Sequence, residues 1–344
     1  MNRRPMLLRR QVAGVRPERV IVSSFANVIV VAVASAVGLW LLSFVVEAMR
    51  PTPATPKSLR WAPGVAVHFA DLGGYAVRYI RAGDGPALLL LHTLRTQLDL
   101  FEKVVPELAN YFTVYAFDYP GHGYSDIPPG RYDAAFFVDG VEAFLNVLDL
   151  HDVTLSGVSI GGAAALIVAG RGNPRVSRVV AINPYDYARG RGMARSSFLG
   201  WMITTTARVH VFGDTVMRLR NFMIMKAVLL GGVANSLSIS EHLLKEMYEV
   251  GNRRGHYRAF LQLLRNSPSW EAAREIYADI RVPASVIWGE QDWSTARERE
   301  SDNRLIPGAR VVTVGGGGHF LPLDRPDAIV EELKAFIVPH PTIR

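Results

Sequence analysis

Residues 153–162 are the stretch that most constrains the fold of this chain. They read V-T-L-S-G-V-S-I-G-G, so an apolar, β-branched run ends at a serine with one glycine two residues before it and another two residues after it. This pattern predicts a strand that turns sharply at Ser159 into a helix whose first residues are small. Glycine is required at 157 and 161 because a side chain there would collide across so tight a turn. We therefore expect the Ser159 hydroxyl to project above the sheet edge, where the N–H of Ile160 points toward any bound oxygen.

The G-x-S-x-G string is a weak signal by itself in a chain with 30 glycines, so its context decides how it is interpreted. Apolar runs that suit strands alternate with amphipathic segments that suit helices on both sides of it. The predicted strands lie at 65–72, 75–81, 87–91, 113–117, 153–158, 176–182, 284–288 and 310–314. The predicted helices lie at 98–111, 133–150, 295–305 and 326–337. This alternation predicts the α/β class, with a mostly parallel eight-stranded sheet covered on both faces by helices in right-handed crossovers.

A long insertion at 185–280 interrupts the alternation and divides the predicted sheet domain into 64–184 and 281–344. The insertion has helical patterns and no strand pattern, with predicted helices at 199–206, 216–230 and 240–250. Its stretch 198–230 is rich in Trp, Phe, Met, Leu and Val. A helical cap of this composition is typical of a lid over an apolar pocket, because methionines adapt to varied shapes. Ordinary packing of the cap on the sheet accounts for most of these side chains.

The N-terminal region carries an apolar run at 20–46, in which 27 consecutive residues have no charge. A helix of that length crosses the hydrocarbon core of a bilayer with some tilt. We predict a transmembrane anchor at 20–49, after a basic segment at 1–19 and before a Pro-rich linker at 50–63. A cleaved signal peptide with Ala34-Ser35-Ala36 as its A-x-A site is the alternative, although further apolar residues follow that site.

The charges that flank the run predict its orientation. Six arginines precede it, at positions 3, 4, 9, 10, 16 and 19, whereas only three basic residues follow within 50–60. The positive-inside rule therefore places the N-terminus in the cytoplasm and the rest of the chain on the extracytoplasmic side, which is the periplasm in a Gram-negative cell. On a protein anchored in this way, we hypothesise that the basic cap residues Arg218, Arg220 and Lys226 face anionic lipid.

Composition excludes several other classes of site. The chain has no cysteine, which excludes disulfides, thiolate metal sites and a cysteine nucleophile. Its histidines match no metal-ligand spacing, so we expect no metal and no other cofactor. The net charge of +7 owes much to the N-terminal arginines, and no nucleic-acid motif accompanies them, so we expect no nucleic-acid partner.

A serine hydroxyl is a poor nucleophile at its ordinary pKa and needs a base, which in turn needs an acid to orient it. Two downstream loops supply these groups. Asp292 ends the sequence W-G-E-Q-D after one buried strand, and His319 follows four glycines after the next strand. Both loops leave the carboxyl ends of their strands, at the sheet edge where Ser159 also emerges. We therefore expect Ser159, Asp292 and His319 to meet at this edge.

The order Ser, Asp, His resembles that of the α/β-hydrolases, and the resemblance extends over about residues 65–337. The segment F-D-Y-P-G-H-G-Y-S-D at 117–126 is similar to the D-x-P-G-H-G-x-S segment of that family. The segment H-F-L-P-L-D-R-P at 319–326 is similar to its closing histidine loop, and L-H at 91–92 is similar to the start of its H-G oxyanion motif. These motifs are specific for the fold and say much less about the substrate.

The resemblance implies acyl transfer by a catalytic triad. His319 takes the proton of Ser159 as the hydroxyl attacks a carbonyl, while Asp292 orients the imidazole and stabilises its cation. The backbone N–H groups of Ile160 and Leu94 are the implied donors to the oxyanion.

Three further positions leave alternatives open. In some relatives the acid comes from the position of Asp186, just after the preceding strand. Thr93 stands where the family has glycine, which changes the loop that carries the second oxyanion donor. Arg95 either binds a substrate carboxylate or is an ordinary surface side chain.

We therefore predict a membrane-anchored serine hydrolase that cleaves an ester of an apolar or lipid-like acyl group through an acyl-enzyme. A carbon–carbon bond hydrolase, a lactonase, a thioesterase or a cofactor-free perhydrolase would use the same triad. Haloalkane dehalogenases and epoxide hydrolases fit less well, because relatives with those activities carry aspartate at the position of Ser159. A non-catalytic protein that binds a ligand or a partner is the alternative from another class, and Thr93 keeps it open.

Overall fold

An eight-stranded sheet forms the centre of the molecule. The computed structural model describes the backbone of residues 17–306 and 308–337 and the side chains of 27–306 and 308–336. Most of the basic segment predicted at 1–19 lies outside these residues, as do the last residues of 281–344. The strands are β1 (Val67–Asp71), β2 (Ala76–Ala82), β3 (Ala87–Leu91), β4 (Thr113–Phe117), β5 (Val153–Val158), β6 (Val176–Ile182), β7 (Ala284–Gly289) and β8 (Arg310–Val314).

The strand order across the sheet is β1-β2-β4-β3-β5-β6-β7-β8. The pairs β1–β2 and β2–β4 are antiparallel, and all later neighbours in this order are parallel. Strands β5 and β7 are buried at every residue, as expected for parallel strands with helices on both faces. The predicted α/β class and mostly parallel eight-stranded sheet are therefore confirmed.

Helices cover the sheet and build the insertion. They are α1 (Pro17–Ala48), α2 (Val105–Leu108), α3 (Ala134–Val147), α4 (Ile160–Gly170), α5 (Phe198–Thr206), α6 (Phe212–Arg218), α7 (Phe222–Leu230), α8 (Glu241–Gly251), α9 (His256–Asn266), α10 (Pro268–Ala272), α11 (Ala296–Leu305), α12 (Leu321–Asp324) and α13 (Pro326–Ile337). Helices α5 to α10 lie between β6 and β7, and we call this part the cap.

Two predicted helices are interrupted in the structure. The segment 98–111 forms a short 3₁₀ turn and then α2, which has Pro106 in its first turn, where the missing proline N–H is tolerated. The segment 216–230 is divided between α6 and α7. The division arises at Asn221, whose side chain accepts a hydrogen bond from the N–H of Ile224 at 3.1 Å and so begins a new helix.

The turn at Ser159 is strained and closely packed. Ser159 has φ +61° and ψ −120°, a conformation that L-residues adopt only when the surrounding structure enforces it. A Cβ at Gly157 would overlap the backbone of Gly161, and a Cβ at Gly161 would overlap the carbonyl oxygen of Leu91. The Ser159 N–H also donates to the carbonyl oxygen of Ile182 at 2.9 Å. The two glycines therefore let β3, β5 and α4 approach closely enough to hold the turn.

Helix α1 is the one helix among the described residues that is long and apolar enough to cross a membrane. The stretch that meets this test is Asn27–Ala48, and its residues 27–42 are exposed. A signal sequence has a similar length and composition. The helix therefore fits two roles, a retained anchor or a signal sequence.

The last turn of α1 packs on the cap through buried charges. Glu47 accepts hydrogen bonds from Arg220 Nη1 and from the N–H of Gly255, both at 2.7 Å. Arg50 Nη2 donates to the carbonyl oxygens of Arg218 and Arg220 at 2.6 and 2.9 Å. We call this set of contacts the α1–cap junction.

Arg218 and Arg220 belong to this junction, so the hypothesis that they face lipid is wrong. The Arg218 guanidinium lies 3.9 Å from the centroid of the Phe44 ring, and its Nε donates to Tyr257 Oη at 3.1 Å. Both arginines are only 8% exposed. A buried cation needs partners nearby, and the junction supplies them. Lys226, by contrast, is partly exposed and pairs with Glu241 at 2.6 Å.

The packing at the Ser159 turn leads to a stability prediction. Replacing Gly161 with alanine should lower the free energy of unfolding by about 3 kcal/mol, because the new methyl group would overlap the Leu91 carbonyl oxygen. Gly64→Ala is the matched control, since nothing lies within 4 Å of its added Cβ, and it should change stability by less than about 0.5 kcal/mol. Urea unfolding of the two variants in detergent measures the difference; equal effects would contradict the proposed packing.

Candidate active site

Ser159, Asp292 and His319 lie at one edge of the sheet. Each follows the carboxyl end of its strand, β5, β7 and β8 respectively, and these strands are parallel. All three side chains are buried. The topology therefore brings together residues that are up to 160 positions apart in the chain.

Asp292 is paired with His319. The Asp292 Oδ1 and His319 Nδ1 atoms are 2.5 Å apart, and Asp292 Oδ2 accepts a hydrogen bond from the N–H of Ser294 at 2.8 Å. Burial by itself would raise the pKa of Asp292, but His319 and Ser294 hold it below its ordinary value. Asp292 therefore stays ionised and orients the imidazole so that Nε2 is left for another partner.

The two atoms that would exchange a proton are both unpaired. Within the described part of the chain, neither Ser159 Oγ nor His319 Nε2 has a hydrogen-bond partner, and both atoms are buried. Their direct hydrogen bond, implied by the family resemblance, is thus absent from this structure. Hydrogen bonds between catalytic groups are often long until a substrate binds.

Asp186, the alternative acid, lies in a different cluster. Its Oδ2 accepts a hydrogen bond from Tyr277 Oη at 2.6 Å, and Asp302 and Arg274 are its other charged neighbours. Burial raises the pKa of Asp186, and burial together with Asp186 raises the pKa of Asp302 to about 9. Asp186 and Asp302 lie in one buried site, where two negative charges disfavour each other, whereas Asp292 is held in its ionised form beside His319.

The loop after β3 carries the second expected oxyanion donor. The N–H groups of Leu94 and Ile160 donate to no acceptor among the described residues. The N–H of Thr93, by contrast, donates to Thr96 Oγ1 at 3.2 Å. Leu94 and Ile160 therefore keep donors that a bound oxygen can use, and Thr93 does not.

His92 stabilises the loop after β3 through hydrogen bonds at both ring nitrogens. Its Nε2 accepts a hydrogen bond from the N–H of Tyr119 at 3.0 Å, and its Nδ1 lies 2.8 Å from the carbonyl oxygen of Thr93. Burial lowers the pKa of His92 to about 3, so the ring is neutral and carries its proton on Nδ1, where it can donate. His92 thus acts as a structural hydrogen-bonding group.

Thr93 fits the loop although its family position is usually glycine. Its φ is not positive, so the backbone there does not need a glycine. Its Oγ1 is buried and has no hydrogen-bond partner in the described chain. The loop conformation is therefore compatible with threonine.

Asn183 is a positioning residue that the sequence reasoning missed. It follows β6, and its Nδ2 donates to the carbonyl oxygens of Gly318 and His319 at 2.9 and 3.1 Å. Its Oδ1 accepts a hydrogen bond from the N–H of Gly289 at 2.7 Å. Asn183 therefore ties the histidine loop to the end of β7. A buried polar residue at a strand end, just before Pro184, was the available signal.

Trp293 connects the histidine with the cap. Its ring stacks on the His319 ring, with centroids 3.8 Å apart and an interplanar angle of 11°. Its Nε1 donates to the carbonyl oxygen of Gly231, just after α7, at 2.9 Å. The neighbouring carbonyl oxygen, that of Gly232, accepts from the N–H of Phe320 at 2.7 Å. The cap therefore helps to fix the orientation of the imidazole.

Comparison with known proteins supports the fold. The family model described as "alpha/beta hydrolase fold" matches residues 86–326. An uncharacterized protein of Mycobacterium tuberculosis is 26% identical over 285 residues, which cover 79% of this chain and 81% of that protein. The 2-(acetamidomethylene)succinate hydrolase of Mesorhizobium japonicum is 24% identical, over 78% of this chain and 93% of the relative.

A solved structure shows the same fold. The crystal structure of Cfl2 from Burkholderia cenocepacia superposes with a TM-score of 0.71 at 22% identity and covers 83% of this chain and 99% of that chain. The family match and the Mesorhizobium relative support a hydrolase. The chain belongs to the α/β-hydrolase fold family.

Proposed function

We propose that this protein is a serine hydrolase that cleaves carboxylic esters of apolar or lipid-like acyl groups. The observation that carries the proposal is the buried Asp292–His319 pair, at 2.5 Å, on the sheet edge where Ser159 is held in a strained turn. A protein that only binds a ligand has no use for an ionised carboxylate buried against a histidine. A serine nucleophile also separates the chain from relatives that carry aspartate at this position.

The mechanism is acyl transfer in two steps. Ser159 Oγ attacks the substrate carbonyl, and His319 Nε2 accepts the hydroxyl proton while Asp292 stabilises the resulting imidazolium. The N–H groups of Ile160 and Leu94 bind the oxyanion of the tetrahedral intermediate. Its collapse breaks the ester bond, and His319 returns the proton to the departing alcohol. A water molecule then repeats the sequence on the acyl-enzyme and releases the acid.

An apolar cleft in the cap supports the choice of acyl group. Its walls include Met202, Met217, Met225, Leu229 and Phe260. These side chains come from four cap helices and present few polar atoms. The cleft has a volume of about 50 Å³ in this structure, so a hydrocarbon chain enters it as the unbranched methionine side chains move aside.

We also propose that α1 is retained as a membrane anchor, with the N-terminus in the cytoplasm and the hydrolase domain on the extracytoplasmic side. The length of the uncharged run supports retention, because its 27 residues exceed the roughly 7–15 apolar residues of a signal peptide. Exposed apolar side chains on the cap, Phe198, Trp201, Phe212 and Met223, also favour a position against lipid. Substrate would then reach the cleft from the bilayer.

The choice of acid gives the first functional prediction. Asp292→Asn should lower kcat for p-nitrophenyl esters by about 10³-fold or more, because the imidazolium loses its carboxylate. Asp186→Asn is the matched control and should retain activity within about threefold, since Asp186 bonds to Tyr277 and the bond to His319 comes from Asp292. Ser159→Ala should abolish both turnover and labelling by a fluorophosphonate. A folded wild-type protein that neither labels nor turns over any ester would favour the binding protein instead.

Membrane anchoring gives a second functional prediction. Wild-type protein should stay in the membrane pellet during alkaline carbonate extraction, and a C-terminal alkaline phosphatase fusion should be active. Introducing glutamate at both Val33 and Val37 should release the protein, because charges at the centre of a span cost about 3 kcal/mol each. Val147→Glu, on an exposed face of α3, is the control and should remain in the pellet. Release of the wild type, or an inactive phosphatase fusion, would contradict the anchor or its orientation.

A further inference from the structure

Arg95 is a buried cation beside the expected oxyanion donor, and the expectation that it is a surface side chain is wrong. It directly follows Leu94, so the two Cα atoms are about 3.8 Å apart. Its side chain is almost fully buried and lines the apolar cleft of the cap. Its φ of +60° is uncommon for a residue with a bulky side chain. The backbone at Arg95 is therefore strained, and its charged side chain lies in the apolar cleft of the cap.

One end of the guanidinium is fixed by the cap. Arg95 Nη1 donates to the carbonyl oxygen of Gly251, the last residue of α8, and lies 2.9 Å from His256 Nδ1. The carboxyl end of a helix is its negative end and favours a cation there. Burial and Arg95 itself keep the pKa of His256 well below its ordinary value, so this ring is neutral and accepts the hydrogen bond.

No carboxylate compensates this charge. No aspartate or glutamate among the described residues forms an ion pair with Arg95. Burial lowers the pKa of Arg95 to about 9, and the like charges of its neighbours Arg220 and Arg50 contribute to this shift. The equally buried Arg78, by contrast, is paired with Asp118 at 2.6 Å. A buried charge without a counterion is costly, which indicates that something else supplies the anion.

The edge of the guanidinium that carries Nε and Nη2 has the geometry that binds an anion. Arg95 Nε and Nη2 donate no hydrogen bond to any described residue, whereas Nη1 holds the group in place. The Nε and Nη2 hydrogens form the two-pronged fork that binds both oxygens of a carboxylate or a phosphate. The Phe260 ring lies 5.6 Å from Arg95 Cζ and shields the site.

We propose that Arg95 binds an acidic group, a carboxylate or a phosphate, at a position on the substrate away from the ester that Ser159 attacks. The inference rests on the proposed function, because it names the substrate class of that same site. A half-ester of a long dicarboxylic acid is the simplest compound of this class. Its apolar chain occupies the cleft, its ester reaches Ser159, and its free acid pairs with Arg95.

Binding to the full-length, detergent-solubilised Ser159→Ala variant tests the proposal independently of hydrolysis. Calorimetric titration compares monomethyl suberate with dimethyl suberate, and octyl phosphate with octanol. The acidic member of at least one pair should bind about 10- to 100-fold more tightly, as a charged hydrogen-bonded pair provides. The pair that shows the difference identifies carboxylate or phosphate as the source.

Substitution of Arg95 in the Ser159→Ala variant tests whether Arg95 causes this difference in affinity. Arg95→Met should abolish it and leave binding of the neutral compound within about threefold, whereas Arg95→Lys should keep part of it. Arg254→Met, at an exposed arginine, is the matched control and should keep all of it. If Arg95→Met does not fold, Gly251→Ala gives the same test, since its Cβ would lie 2.7 Å from Nη1 and displace the guanidinium.

Two results would overturn the proposal. One is equal binding of acidic and neutral compounds in both pairs. The other is an equal loss for both members when Arg95 is replaced, which indicates a structural role. Neither result bears on ester cleavage, and failure of wild-type protein to hydrolyse esters would leave the binding difference measurable.

Discussion

The strained turn at Ser159 is the constraint on which the rest of the structure depends. Its positive φ places the hydroxyl at the end of β5, above the sheet, and persists only because β3, β5 and α4 meet without side chains between them. Gly157 and Gly161 permit that approach. The same approach sets the Ile160 N–H at the start of α4, so one local arrangement positions both the proposed nucleophile and a proposed donor to the oxyanion.

The histidine loop depends on contacts from three directions. Asn183 holds its backbone from the sheet, Asp292 holds the imidazole from the neighbouring loop, and Trp293 stacks on the ring while bonding to the cap. A glycine-rich loop has little conformational preference of its own, so these contacts replace the rigidity that its sequence lacks. Displacement of the cap would therefore shift the His319 imidazole, although none of the three proposed catalytic residues lies in the cap.

The cap is joined to two very different parts of the molecule. Its arginines bond with the last turn of α1, and the carbonyl groups that follow α7 bond with Trp293 and the histidine loop. From the sequence, Arg218 and Arg220 were expected to face lipid. In the structure they are buried and contact the last turn of α1. A run of mixed basic and apolar residues has both interpretations, and only the position of the opposing Glu47 distinguishes them.

The sequence by itself determined the sheet, the order of its strands along the chain and the identity of Ser159, Asp292 and His319 as candidates. It did so because hydrophobic periodicity, glycine at tight turns and the position of polar residues at strand ends are local properties. It did not reveal the role of Asn183, the break between α6 and α7, or the burial of Arg95 and Arg218. Those depend on partners that lie far away in the chain, as Gly251 does from Arg95 and Phe44 from Arg218. Only the tertiary structure decided them, because the environment of a charge is set by what packs around it.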